Sequence, residues 1–162
     1  MSSNFVLYEE EFKHIEAVCQ RLTRDANSKV VFLVDKNGQL IAATGEIEGL
    51  DTTSLASLTA GNIAATGGIA KLINEKEFSQ IFHEGERDNL HISIVGQRGI
   101  LVVIFDDRSS LGLVRLRVKK ASDELADVFT KIAEKVEKGI GGEGFESPFA
   151  EITDDDIDAL FS

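Results

Sequence analysis

Residues 52–70 carry no charged side chain, in a chain where 28% of the residues are charged. The stretch is about long enough to cross a bilayer, but Thr, Ser and Asn residues and three glycines are spread through it. Because polar residues fall on every face, we expect a helix of a globular domain and no membrane insertion. A helix nearly free of charge on all sides should be covered on all sides. This stretch therefore predicts a second covering surface beyond the chain's own sheet.

The same helix carries a continuous row of small side chains. They are Ala56, Ala60, Ala64 and Gly68 at four-residue spacing, with Ser57, Gly61 and Ala65 beside them. Each glycine inside a helix costs about 1 kcal/mol relative to alanine, whereas small residues allow another backbone to approach closely. We therefore predict a homodimer in which this helix pairs with its copy. The alternative is a helix that simply lies on the sheet of its own chain.

The remaining patterns alternate between helix and strand. They predict helices over 8–26, 53–73 and from about 110, and strands over 30–34, 39–44, 79–86, 90–95 and 100–105. Asn37-Gly38 is typical of a two-residue hairpin turn with two positive φ angles, and Asp51 or Thr52 can cap the middle helix. Alternation around His91 indicates a half-exposed strand.

Hairpin linkage implies an antiparallel sheet, and three helices can cover both of its faces. We therefore predict an α/β (α+β) fold with the order α-β-β-α-β-β-β-α. The sheet has five antiparallel strands and helices on both faces.

The negative charge is concentrated at one end of the chain. The formal charge is −11, and the last 24 residues contribute −7 of it, which leaves −4 on residues 1–138. This balance argues against binding to nucleic acid. Four glycines within 139–144 indicate a flexible linker. We predict a domain over 1–138, a Gly-rich linker over 139–148 and an acidic docking helix over 149–162.

The acidic segment also contains apolar residues that can anchor it to a partner. They are Phe149, Ile152, Ile157, Leu160 and Phe161. The last three share one face of a short helix, which should form mainly on a partner surface. A disordered acidic tail is one alternative. Another is docking in cis or on a sister subunit, against the densest basic run, Arg115, Arg117, Lys119 and Lys120.

Groups that could perform chemistry are few and scattered. His14, His83 and His91 have no metal-ligand spacing, and one cysteine, Cys19, excludes an internal disulfide framework. We expect no catalytic residue, no metal ion and no cofactor. The N-terminus lacks the basic start and long apolar run of a signal peptide, so we expect a cytoplasmic protein.

Several segments together resemble the Roadblock/LC7 family, especially its bacterial polarity-protein branch. They are 29–40, 51–62, 82–85 (Phe-His-Glu-Gly), 102–106 (Val-Val-Ile-Phe-Asp), 110–115 and the tail 147–162. The resemblance implies a homodimer with paired central helices and a joined sheet. It also implies a GTPase-activating protein for a small Ras-like GTPase, with two protomers per GTPase, acting in bacterial cell polarity and motility, at a cell pole.

The resemblance further implies how the activator works. It supplies no arginine finger and repositions the GTPase's own arginine and glutamine. The central helix faces the GTPase or the sister subunit, through Ser57, Gly61, Ala64, Ala65 and Gly68. The C-terminal helix contacts the GTPase away from its nucleotide pocket and can promote exchange. Two other functions stay open: a Roadblock-type scaffold that binds a partner without changing GTP hydrolysis, and a small-molecule sensor, for which no convergent polar groups are evident.

Overall fold

Eight elements follow one another in the predicted order. The computed structural model describes the backbone of residues 3–139 and the side chains of residues 9–138. The elements are α1 (Ser3–Asp25), β1 (Val30–Asp35), β2 (Leu40–Gly45), α2 (Thr52–Leu72), β3 (Gln80–Glu84), β4 (Asn89–Val95), β5 (Gly99–Phe105) and α3 (Leu111–Gly139). The fold class and the element order are confirmed, with α1 beginning five residues before its predicted start. No helix of the described part is both long and apolar enough to cross a membrane.

The five strands form one antiparallel sheet in the order β2-β1-β5-β4-β3. β1 and β5 lie side by side near its centre, with Val31 opposite Val103 and Leu33 opposite Leu101. All residues of both strands are buried. Their unbroken apolar sequences fit this position, because a central strand covered on both faces needs apolar residues on both.

Two separate cores cover the two faces of the sheet. On one face, α1 and α3 pack together over the sheet through residues such as Ile15, Leu22, Val118 and Leu125. On the other face, α2 alone lies over Phe32 and its neighbours. Within residues 3–139, the second face is therefore covered by one helix, and that helix presents its other side outward.

The turn between β1 and β2 differs from its prediction. Only Gly38 has a positive φ, at 91°, and Asn37 does not, so the expected two-residue turn was wrong. The Asp35 Oδ1 atom accepts hydrogen bonds from the N–H groups of Asn37 at 2.8 Å and Gln39 at 3.2 Å. This side chain organises a longer loop over residues 36–39, and a register shift follows Leu33 in the strand before it. A Cβ at Gly38 would lie 3.4 Å from the Ser57 Cα, so the loop packs against α2.

The strand β4 is more buried than its alternation indicates. His91, Ser93 and Val95 are all buried, as is Ile92 on the opposite face, so the half-exposed strand was a wrong prediction. The cause is the coverage that α3 gives to β4, a tertiary effect that alternation cannot reveal. His91 is 1% exposed, and neither of its ring nitrogens has a hydrogen-bond partner among the described residues. Burial, and then the nearby Arg115 charge, lower the pKa of His91.

Candidate functional site: the outer face of α2

Asp51 fixes the start of α2. Its Oδ1 accepts a hydrogen bond from the Ser54 N–H at 3.0 Å, and its Oδ2 accepts one from the Ser54 Oγ at 2.7 Å. Hydrogen bonds to the charged carboxylate, from the Ser54 side chain first, lower the pKa of Asp51. Of the two predicted caps, Asp51 is therefore the residue used, and Thr52 is the first helical residue. A fixed start sets which residues of α2 point toward the sheet.

The inner face of α2 contacts the sheet through small and medium side chains. Ala56, Thr59 and Ala70 are its buried residues. Leu55, Ala60 and Ile63 are partly buried and pack against the core beneath. The helix thus contributes little buried side-chain volume to its own domain.

The outer face of α2 exposes large apolar side chains. Leu58 is 72% exposed, Ile69 55% and Leu72 85%. Four of the six exposed large apolar side chains among the described residues lie on α2 or at its C-cap, Ile73. Single exposed leucines need no explanation, but a concentration on one helix marks a surface that binds another molecule.

The five residues predicted on this helix lie together on its exposed side. They are Ser57, Gly61, Ala64, Ala65 and Gly68, and all are exposed. A Cβ built at Gly61 or Gly68 would have no heavy atom within 4 Å outside the helix itself. The loop at Gly38 approaches the N-terminal half of α2 at Ser57 and Ala60, but no described part of the chain approaches Gly61 or Gly68. Of the predicted row, Ala56 and Ala60 face the sheet, whereas Gly61, Ala64, Ala65 and Gly68 are open to a partner backbone.

The large apolar residues beside that row were not among the predicted site residues. Leu58, Ala65 and Leu72 are seven residues apart, which places them along one line of the helix. That spacing was the available signal. We call the exposed surface formed by Leu58, Gly61, Ala65, Gly68, Ile69 and Leu72 the α2 outer face.

The edge strand β3 lies beside α2. It pairs with β4 and has no second partner strand in the described sheet. The Asn62 Nδ2 and the His83 Nε2 approach to 3.3 Å, which joins α2 to this edge strand. An unpaired strand edge can accept a strand from another chain. The α2 outer face and the β3 edge are therefore neighbouring surfaces that a second molecule can cover.

The described residues offer little chemistry near these surfaces. Burial raises the pKa of the Cys19 thiol to about 12, which keeps it protonated and unreactive. Within residues 9–138, no group of three or more His, Cys, Asp and Glu side chains is arranged to hold a metal ion. Arg108 is engaged by Asp106 and Glu46. What the α2 outer face does offer is exposed apolar area, which suits it to binding a macromolecule.

The predicted C-terminal anchors are not part of this geometry. Phe149, Ile152, Ile157, Leu160 and Phe161 lie outside the described residues, as do positions 140–148 of the predicted linker. The linker and the docking helix stay predictions.

Comparison with known proteins gives consistent matches. A family model described as the Roadblock/LC7 domain matches residues 14–105. The structure is similar to that of MglB from Myxococcus xanthus, with 68% sequence identity, a TM-score of 0.73, and coverage of 75% of this chain and 92% of that chain. It is also similar to the gliding protein MglB of Thermus thermophilus, with 32% identity, a TM-score of 0.68, and coverage of 73% of this chain and 90% of that chain. An MglB structure with a tetrameric arrangement matches at 30% identity and a TM-score of 0.69, covering 73% of this chain and 89% of that chain.

Proposed function

This chain belongs to the Roadblock/LC7 domain family, and from that premise we propose that it regulates a small Ras-like GTPase of the MglA type. In detail, it is a homodimeric GTPase-activating protein, and two protomers bind one GTPase. Its role is in bacterial cell polarity and motility, at a cell pole. The observation that carries the proposal is the α2 outer face, an exposed apolar surface on a chain that is 68% identical to MglB.

The α2 outer face supports dimerisation through its shape and its polarity. Leu58 and Leu72 supply apolar area, and Gly61 and Gly68 leave room for a second backbone. In a two-fold dimer each of these residues is used twice, so a modest patch gives twice its own contribution. The neighbouring β3 edge supplies backbone hydrogen-bonding groups for a sheet joined across the dimer. The remaining part of the paired helices, including Ser57 and Ala64, then faces the GTPase.

The activator accelerates hydrolysis without a catalytic residue of its own. Repositioning of the GTPase's own arginine and glutamine stabilises the charge that develops during phosphoryl transfer. The C-terminal segment docks on the GTPase away from the nucleotide pocket, through Ile157, Leu160 and Phe161 with Phe149 and Ile152, and promotes exchange.

The direct test is GTP turnover by the cognate GTPase with and without this protein. We expect faster turnover with the wild-type chain and a loss of that effect with Gly68→Arg, because a long charged side chain enters the close-approach surface. Gly112→Arg is the matched control, since Gly112 is also an exposed helical glycine with no neighbour within 4 Å, on α3 instead. Unaccelerated turnover with the wild-type chain would refute the proposal. Tight binding with unchanged turnover would support the scaffold function instead.

The absence of an arginine finger has its own test. Arg87, Arg98 and Arg108 lie in loops at the ends of strands, the kind of position from which a finger could reach. We expect activation to survive the change of each to alanine within about threefold, whereas removal of an arginine finger costs about 10³-fold or more. A loss of that size in any one variant would contradict the repositioning mechanism.

A further inference from the structure

The first turns of α3 carry an unneutralised positive charge. Residues 111–120 contain Arg115, Arg117, Lys119 and Lys120 and no acidic residue. All four side chains are exposed, and none forms an ion pair with a carboxylate within residues 9–138. Elsewhere between the same two helices the charges are matched, as in the pairs Arg21–Glu124 and Lys135–Glu11. The basic run is therefore a local excess on a chain that is acidic as a whole.

An exposed leucine lies in the middle of this charge. Leu116 is 62% exposed, and among the described residues of α1 and α3 it is the one large apolar side chain that is exposed. Next to it, Arg117 and Lys120 line one side of a shallow groove between α1 and α3, with Val18, Leu22 and Ala121 at its base. The rest of the groove is lined by Asp25 and by the ion pair of Arg21 with Glu124, so its positive charge comes from the α3 side. We call the surface formed by Arg115, Leu116, Arg117, Lys119 and Lys120 the α3 basic face. This face offers one exposed apolar side chain, Leu116, between basic residues on both sides of it.

We propose that the α3 basic face is the docking site for the acidic C-terminal segment of the same chain. The last 24 residues carry seven acidic side chains and no basic one. Ile157, Leu160 and Phe161 have the i, i+3, i+4 spacing of a helical apolar face, which matches the exposed Leu116 and the groove beside it. Asp154, Asp155, Asp156 and Asp158 bring negative charge next to those anchors.

The length of the chain permits docking within one subunit. α3 ends at Gly139, and Lys119 lies 20 residues earlier, a distance of about 30 Å along the helix. The 17 residues from 140 to 156 can span about 55 Å when extended. The segment can therefore turn back along α3 and reach Lys119, because its extended length exceeds the distance to be covered. Because both partners belong to one chain, their effective concentration reaches the millimolar range, at which weak exposed ion pairs suffice.

Docking has a consequence for regulation. Ile157, Leu160 and Phe161 cannot contact the α3 basic face and a GTPase at the same time, so docking withholds the segment from its partner. This consequence rests on the proposed function, whereas the docking does not. The experiment therefore measures docking with no GTPase present, so that failure of one is distinguishable from failure of the other.

The experiment uses a spin label at the C-terminus of the full chain. Ser162→Cys provides the attachment site, and Cys19 stays in place because it is 0% exposed and its pKa is raised to about 12. We expect paramagnetic broadening of the backbone amides of residues 112–120 when label and ¹⁵N are on the same chain. The broadening should weaken when the salt concentration rises from about 50 to 500 mM, because exposed ion pairs are screened.

The test of the surface itself is a charge reversal with a matched control. Lys119→Glu with Lys120→Glu should lower the ratio of docked to free segment roughly tenfold, since exposed pairs are lost and like charges replace them. Lys131→Glu with Lys138→Glu makes the same change of charge on the same helix, outside the α3 basic face, and should retain the broadening. Unchanged circular dichroism checks that each variant is folded.

Three outcomes would overturn the proposal. The first is an absence of broadening over 112–120 in the chain whose only change is Ser162→Cys. The second is that the two charge-reversal variants show the same broadening over 112–120. The third appears in mixed samples, where a label on an unenriched chain broadens the ¹⁵N chain and the same-chain label does not, which assigns the docking to a sister subunit. If docking is absent and only chains with intact Lys119 and Lys120 bind phosphatidylserine vesicles, the basic face is a lipid surface instead.

Discussion

The proposed dimer makes a quantitative prediction at Leu58. This side chain is 72% exposed in the single chain and lies at the N-terminal end of the α2 outer face. Leu58→Ala removes three carbon atoms, each giving about 0.8 kcal/mol when fully buried. Scaled by the 72% that a partner can cover, the loss is about 1.7 kcal/mol per copy. A two-fold interface contains two copies, so the dimer loses about 3.5 kcal/mol.

This loss corresponds to a dimer dissociation constant that is about 300-fold higher, since 1.4 kcal/mol is a factor of ten. Sedimentation equilibrium over a range of protein concentrations measures the constant directly. The folded subunit should be unaffected, because the removed atoms face away from its own core. Circular dichroism of the variant at a concentration where it is monomeric checks this point.

Leu116→Ala is the matched control for Leu58→Ala. Leu116 is also a helical leucine, it is 62% exposed, and it lies on α3, across the sheet from α2. We expect its replacement to change the dimer constant less than threefold. If Leu58→Ala also changes the dimer dissociation constant less than threefold, or if both variants raise it to the same extent, the assignment of the dimer interface to α2 is wrong.

The remaining predictions concern the folded subunit. Gly99→Ala should destabilise the domain by about 1–3 kcal/mol in urea unfolding, because its Cβ would lie 2.7 Å from the Phe129 Cε2. Adding Phe129→Leu should recover part of the loss, and a strictly additive double variant would contradict this contact. Because burial and then Arg115 lower the pKa of His91, the unfolded state binds this proton more readily than the folded state. The protein should therefore lose stability as the pH falls below about 6.5, the pKa of a free histidine. Urea unfolding between pH 7.5 and 5.5 should show a shallower loss for His91→Leu, and equal slopes would refute this origin.

The sequence was sufficient for the parts of the fold that follow local rules. The unbroken apolar runs of β1 and β5 indicated strands covered on both faces, and both lie near the centre of the sheet. The cap at Asp51 also followed from local chemistry. The turn after β1 did not, because the Asp35 side chain accepts the N–H groups that a two-residue turn would arrange differently. The burial of His91 could not be predicted from the sequence either, since it depends on where α3 lies over β4.

The candidate site likewise has one feature that the sequence predicted and another that depends on tertiary packing. The absence of charge on α2 predicted that the helix needs cover, and its five small residues are indeed exposed on one side. The role of the large residues beside them depends on rotation of the helix about its axis. Ala56, Thr59 and Ala70 set that rotation by facing the sheet, and Leu58 and Leu72 then point outward. Periodicity alone could not choose between these two faces, because both are apolar.

The shallow burial of α2 links its stability to its partners. Three small buried residues, with the partly buried Leu55, Ala60 and Ile63, hold this 21-residue helix to the sheet. Three internal glycines lower its intrinsic helicity. The elements with few buried contacts are those that open most readily. A partner that binds α2 only while the helix is packed on the sheet adds its binding free energy to the stability of that packed state. A second copy on the α2 outer face would therefore both cover this helix and keep rigid the surface that, in the proposed function, binds the GTPase.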